Sequence, residues 1–287
     1  MRTITTIILF LISIQLGFSQ TGKVFDKVSH SSTILKEDRN FAIYLPPDYE
    51  TSQRDYPVLY LLHGAGDNQT GWVQFGEVLN ITDKAIKEGK ATAMIIVMPD
   101  ALTTRMGYNN DIRGDWNYED YFFEELMPYV ESNYRIKKEK RYRAIAGLSM
   151  GGGGSFLYAM HRPDLFQSSC PLSAYIGPKT TEEAMDIMKR FTNAEITKKQ
   201  AEEYFPKNNA LSLIKTMSKE DLSSVRWYID CGDDDFLYEG NSLVHIALRD
   251  KEVPHEYRVR DGAHTWTYWR ESLPEVLHFV SEGFHQF

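Results

Sequence analysis

The stretch Arg143-Ala144-Ile145-Ala146-Gly147-Leu148-Ser149-Met150-Gly151-Gly152-Gly153-Gly154 decides how the chain is read, because its character changes at its centre. Residues 142–146 read as a short apolar strand, and residues 152–160 carry small and apolar side chains at helical spacing. Ser149 lies between them in a Gly-x-Ser-x-Gly pattern. A serine at such a junction sits on a tight turn, and Gly147 and Gly151 permit a backbone approach that a Cβ would block. The turn lifts the Ser149 hydroxyl clear of the sheet. It also puts the Met150 N–H at a helix N-terminus, where developing negative charge is stabilised. An incidental serine in a glycine-rich turn is the alternative, and the flanking strand and helix favour the chemical reading.

Outward from this turn the chain alternates. Strand-like runs occupy residues 23–35, 39–44, 56–62, 93–98, 166–173, 225–231 and 255–259. Helical spacing appears over 78–88, 118–134, 242–250 and 268–284. Continuous apolar strands alternating with helices imply an α/β fold, with a mostly parallel sheet covered on both faces. The opening strand pair has no helix between its members, which suggests an antiparallel edge. Residues 175–224 break the rhythm. They are polar and charged, with helices expected over 182–191 and 197–205. They are read as an insertion over the active-site end, a lid lining a substrate cleft.

The N-terminus has the pattern of a secretory signal peptide over residues 1–19: Arg2, an apolar run from Ile4 to Leu16, then Gly17 and Ser19 before a cut at Gln20. This predicts an exported protein with one α/β domain over residues 20–287. The apolar run is shorter than the ~20 residues that span a bilayer, so no stable membrane insertion is expected. With 40 acidic against 32 basic side chains, the net charge is −8, which makes nucleic acid and anionic membranes poor partners. Cys170 and Cys231 fall in apolar strand-like runs. They read as buried free thiols rather than a disulfide.

A serine hydroxyl needs a base within hydrogen-bond reach, and the base needs an orienting carboxylate. On a strand–turn–helix site of this type the partners follow in the order serine, acid, histidine. Asp233, Asp234 and Asp235 follow the strand at 225–231, and Asp235, a few residues past the strand end, is the favoured acid, then Asp234, then Asp233. His264 follows the last strand and is the expected base. His63 precedes Gly64-Ala65-Gly66 and is expected to shape that loop, and His161 is expected to cap a helix end. The oxyanion of a tetrahedral intermediate needs two N–H donors. Met150 supplies one, and Ala65, with Gly64 as the near alternative, the other. Trp116, Tyr118, Trp266 and Trp269 are candidates for an aromatic substrate platform, or for ordinary core packing. No His-Glu-x-x-His or cysteine cluster is present, so no metal and no cofactor are expected.

Together these residues resemble the esterase D-like group of α/β-hydrolases, and within it the feruloyl and acetyl-xylan esterases of carbohydrate esterase family one. The resemblance runs through Tyr44-Leu45-Pro46-Pro47, Leu61-Leu62-His63-Gly64-Ala65-Gly66, Ile95-Ile96-Val97-Met98-Pro99, Gly147-Leu148-Ser149-Met150-Gly151-Gly152, Cys231-Gly232 with Asp235, and Gly262-Ala263-His264. It implies an α/β-hydrolase fold, with Ser149 as nucleophile, Asp235 as acid and His264 as base. The implied substrate is a small ester or an esterified plant polysaccharide. The chain departs from the group in its longer, more charged insertion and in Asp67-Asn68 after Gly66. A siderophore-ester hydrolase or an acyltransferase of the same fold is the alternative. An S-formylglutathione hydrolase is disfavoured by the signal peptide, and a non-catalytic binding protein by the complete Ser-Asp-His order.

Overall fold

The computed structural model describes residues 21–101, 104–192 and 195–285; the proposed signal peptide, residues 1–19, lies outside them. One sheet contains β1 (Lys23–Ser32), β2 (Glu37–Leu45), β3 (Val58–Leu62), β4 (Ile95–Pro99), β5 (Arg143–Leu148), β6 (Ser168–Leu172), β7 (Arg226–Gly232) and β8 (His255–Arg260). Their spatial order is β1-β2-β4-β3-β5-β6-β7-β8. β1 and β2 pair antiparallel, as does β2 with β4, and all other neighbours are parallel. The expected antiparallel edge is the β1–β2 hairpin.

The helices are α1 (Gly71–Gln74), α2 (Val78–Lys87), α3 (Tyr118–Tyr121), α4 (Met127–Asn133), α5 (Met150–His161), α6 (Thr181–Thr192), α7 (Lys198–Tyr204), α8 (Ala210–Thr216), α9 (Lys219–Ser223), α10 (Tyr238–Asp250) and α11 (Trp266–His285). Alternate strand residues feed two cores, which is why the central strands are apolar throughout. Val58, Tyr60 and Leu62 join Phe156 and Tyr158 of α5 on one face. Leu59 and Leu61 join Leu273, Val276 and Val280 of α11 on the other, beside α2. The helix expected over 118–134 is interrupted by a π turn, Phe122–Leu126. Pro128 has no N–H to continue the regular ladder there. Cys170 and Cys231 are buried and unbonded to each other. Among the described residues no helix is long and apolar enough to cross a membrane.

The insertion has a small core of its own: Ala184, Met188, Ile196, Ala201 and Tyr204, packed against Met106 and Ile112 of the loop after β4. Its helices start at side-chain caps: a capping box at Thr197, then Asn209 and Ser218. α8 and α9 were not expected from periodicity, since each spans two turns or fewer; their caps were the available signal.

α5 packs closely because Gly151 to Gly154, after Met150, carry no side chains. A Cβ on Gly147 would lie 2.4 Å from the Gly151 carbonyl oxygen, and one on Gly151 would lie 2.6 Å from the Leu62 and His63 carbonyl oxygens. Backbone cannot move aside as a flexible side chain can. Gly151→Ala is therefore expected to lower unfolding stability by about 1–3 kcal/mol, read as a lower urea midpoint at unchanged slope.

His161 ends α5 but caps nothing. Its Nδ1 bonds Glu119 Oε1 at 2.6 Å, and its Nε2 bonds the Lys207 carbonyl at 2.7 Å. Burial pulls its pKa down, but the Glu119 hydrogen bond and charge and the Lys207 carbonyl outweigh burial and raise it above 6.5. A folded pKa above the unfolded one gives stability that is complete below about 6.5 and fades as pH rises through the folded value. The melting-temperature gap between wild type and His161→Ala should accordingly be widest below pH ~6 and narrow as pH is raised.

Candidate active site

Ser149 occupies the turn between β5 and α5 with φ 54° and ψ −114°. An L-residue held there costs on the order of 1–3 kcal/mol, so the surroundings must enforce it. Three hydrogen bonds do so. The Ser149 N–H donates to the Leu172 carbonyl at 2.9 Å, and the Ser149 carbonyl accepts from the N–H groups of Gly153 and Tyr175, both at 3.0 Å. The result is a hydroxyl presented above the carboxyl ends of the central parallel strands.

The other two residues of the expected set meet it there. His264 Nε2 lies 2.9 Å from Ser149 Oγ, and His264 Nδ1 lies 2.8 Å from Asp235 Oδ2. The Asp235 side chain is fully buried. Burial alone would raise its pKa, yet hydrogen bonds from His264, the Leu237 N–H and Ser173 hold it below the ordinary carboxylate value. It therefore stays ionised at neutral pH and can hold a proton on His264 Nδ1. Asp234 is exposed. Asp233 is also exposed, but its Oδ1 accepts the Gly262 N–H at 3.1 Å, while the Asp233 and Asp234 N–H groups donate to the Arg260 and Gly262 carbonyls. These bonds stitch the acid loop to the histidine loop, and Asp233 thereby has a positioning role that its place in an acidic run did not reveal.

His63 is fully enclosed and shapes the loop after β3. It accepts the Ala101 N–H at Nε2 (3.0 Å), so the ring proton is on Nδ1, which donates to the Gly64 carbonyl at 2.9 Å. Burial keeps its pKa below 6.5, and the ring stays neutral. No described peptide bond is cis, and in a trans peptide the N–H points opposite to the carbonyl. With the Gly64 carbonyl turned toward His63, the Ala65 N–H faces away from it. Ala65 and Met150 both line the cavity that contains Ser149. This geometry favours Ala65 over Gly64 as the second donor.

That cavity measures about 530 Å³. The loop after β4 supplies Arg105 to Asn109 and α5 supplies Gly153, Gly154 and Leu157; Tyr175, Glu183, Asp186, Ile187, Arg190 and Phe191 come from the insertion, with Phe236 and Leu237 beside the acid. The insertion thus walls the cavity, as its expected place over the site required.

The aromatic platform needs correction. None of Trp116, Tyr118, Trp266 and Trp269 lines this cavity. Tyr118 is fully buried and donates its hydroxyl proton to the Asp100 carbonyl, and Trp116, 3% exposed, donates to the Gly107 carbonyl. Trp269 meets His264 edge-on at 4.9 Å and donates to Ser173 Oγ, with Trp266 edge-on to Trp269 and Trp72 edge-on to Trp266. Helix α11 turns these indoles under the histidine loop. Trp269 packs against the imidazole, and Phe236, whose ring centroid is 4.5 Å from that of His264, lines the cavity beside it. Exposure at Phe236 is a tertiary property, and residue type alone gave no sign of it.

Comparison with known proteins identifies the family. The Esterase family model matches residues 32–280. The endo-1,4-beta-xylanase/feruloyl esterase of Xylanibacter ruminicola is 37% identical over 131 residues, which is 43% of this chain and 18% of that protein. The chain thus spans less than a fifth of that relative's length. The acetyl esterase of Caldicellulosiruptor saccharolyticus is 22% identical over 275 residues, covering 89% of this chain and 97% of that one. A solved ferulic acid esterase superposes with a TM-score of 0.81 at 35% identity, covering 92% of this chain and 99% of its own. With this sheet and these matches, the chain belongs to the esterase family, in the esterase D-like group of α/β-hydrolases.

Proposed function

We propose that this protein is an exported serine esterase that cleaves acetyl or hydroxycinnamoyl esters of plant polysaccharides through a Ser149–His264–Asp235 triad. The observation that carries the mechanism is the hydrogen-bond chain from Ser149 Oγ through His264 to a buried, ionised Asp235. In this reading Ser149 Oγ attacks the ester carbonyl carbon while its proton passes to His264 Nε2. The tetrahedral oxyanion accepts hydrogen bonds from the Ala65 and Met150 N–H groups. It collapses by breaking the bond to the alcohol oxygen, which takes the proton from His264. Water, deprotonated by His264, then attacks the acyl-enzyme, and the released acid leaves Ser149 reprotonated.

The polysaccharide substrate is supported by the names and activities of the xylanase/feruloyl esterase, acetyl esterase and ferulic acid esterase relatives. Export is supported by the N-terminal pattern of Arg2, an apolar run and small residues before Gln20.

Hydrolysis of p-nitrophenyl acetate, methyl ferulate and acetylated xylan tests the reading, with Ser149→Ala alongside. The expected result is turnover that falls by about 10⁴-fold or more in the variant. Equal turnover with and without the Ser149 hydroxyl would overturn the mechanism. His63→Ala should lower kcat about a hundredfold with little change in KM, since the Ala65 donor then loses its orientation only where charge develops. Steady-state kinetics on p-nitrophenyl acetate measure this directly.

A further inference from the structure

We propose that Phe236 is the stacking surface for the sugar ring of the leaving alcohol, and that this ring selects carbohydrate esters over simple alkyl esters. The proposal rests on the serine-esterase reading above and names the group that the same site takes on its leaving side. Its starting point is a constraint of the chemistry. His264 Nε2 returns the proton to the departing oxygen, so the alcohol must lie against the imidazole. The aromatic ring that both meets that imidazole and lines the cavity is Phe236, 4.5 Å away at an interplanar angle of 49°.

Phe236 is 72% exposed, more than any other large apolar side chain among the described residues. It nevertheless directly follows a carboxylate that is fully buried. Its backbone is held on both sides: the Leu237 N–H donates to Asp235 Oδ1 at 2.8 Å, the Tyr238 N–H to the Asp235 carbonyl at 3.0 Å, and the Asp235 N–H to the Gly232 carbonyl at 3.3 Å. The ring is therefore presented from a bonded turn, with little ordering left to do when a ligand arrives. An aromatic face kept in water gains when the apolar CH face of a sugar covers it. Across the same cavity α6 offers Glu183, Asp186 and Arg190, which supply acceptors and donors for sugar hydroxyls. For the acyl group, α5 contributes Met150, Gly153, Gly154 and Leu157 to the lining, which carry no charge.

The test compares two esters of whichever acyl group the wild-type protein prefers, acetyl or feruloyl: the methyl ester and the ester of a xylo-oligosaccharide bearing that group on a sugar hydroxyl. The quantity read is the ratio of kcat/KM for the sugar ester to that for the methyl ester. The wild type should favour the sugar ester. Phe236→Ala should lower the ratio about tenfold, mainly through KM for the sugar ester, and Phe236→Trp should retain it. The pH profile of kcat/KM should keep its acid limb in both variants. Equal losses on both esters with a shifted acid limb would overturn the proposal, because Phe236 would then act by holding His264. An unchanged ratio in Phe236→Ala, or a wild type with no preference for the sugar ester, would also overturn it while leaving the serine mechanism standing. A wild type that cleaves neither ester would remove the esterase reading itself, and this proposal with it.

Discussion

Between the α carbon of Gly151 and the carbonyl oxygens of Leu62 and His63 there is no room for a methyl group. That contact lets the first turn of α5 sit directly on the ends of β3 and β5. The Ser149 turn takes its positive φ because the chain must reverse in the space this leaves, and the Leu172, Gly153 and Tyr175 hydrogen bonds hold it there. The same approach brings the Met150 N–H next to the Ala65 loop. A longer side chain at position 147 or 151 would push apart Ser149, the helix terminus and the Ala65 loop together.

Around this fixed point the remaining groups are held by partners that do no chemistry themselves. Ser173, at the end of β6 with φ 44°, accepts from Trp269 Nε1 and bonds the Asp235 carboxylate. Trp269 in turn meets the His264 ring. Asp233 fastens the histidine loop through Gly262, and His63 fixes the Gly64 peptide. Apart from the Trp269–His264 ring contact, each link is a hydrogen bond whose loss would leave a group unpaired, so the site is rigid where its geometry matters. The walls contributed by the insertion are different in kind. They carry charges and partly exposed side chains on helices with a separate small core. Variation there can change what is bound without disturbing the hydrogen-bond chain.

Several features were legible in the order of residues. Uniformly apolar strands alternating with helical periodicity implied a parallel sheet buried on both faces. Gly-x-Ser-x-Gly between a strand and a helix marked the nucleophile position, and the order serine, aspartate, histidine pointed to Asp235 and His264. These signals are local: strand period, glycine at a steric pinch, and chain order on a fold of known direction. The choice of Asp235 over Asp233 and Asp234 could be ranked but not decided, because all three belong to one acidic run. Burial of one carboxylate and exposure of the others separates them, and burial depends on where β7 and α10 leave the loop.

Aromatic residues show the limit most clearly. Trp116, Tyr118, Trp266 and Trp269 offer aromatic faces as Phe236 does, and residue type alone left them open to either a substrate platform or ordinary core packing. Packing decided otherwise. Helix α11 carries two of them, with Trp269 against His264, the core takes the other two, and a hydrogen-bonded turn holds Phe236 out toward solvent. The amino-acid sequence by itself determined the fold class and narrowed the proposed triad to Ser149, His264 and one of three adjacent aspartates, since these follow from periodicity, chain order and steric demands on neighbouring residues. Only the tertiary structure decided which side chains face the cavity, because facing is set by contacts between segments far apart in the chain.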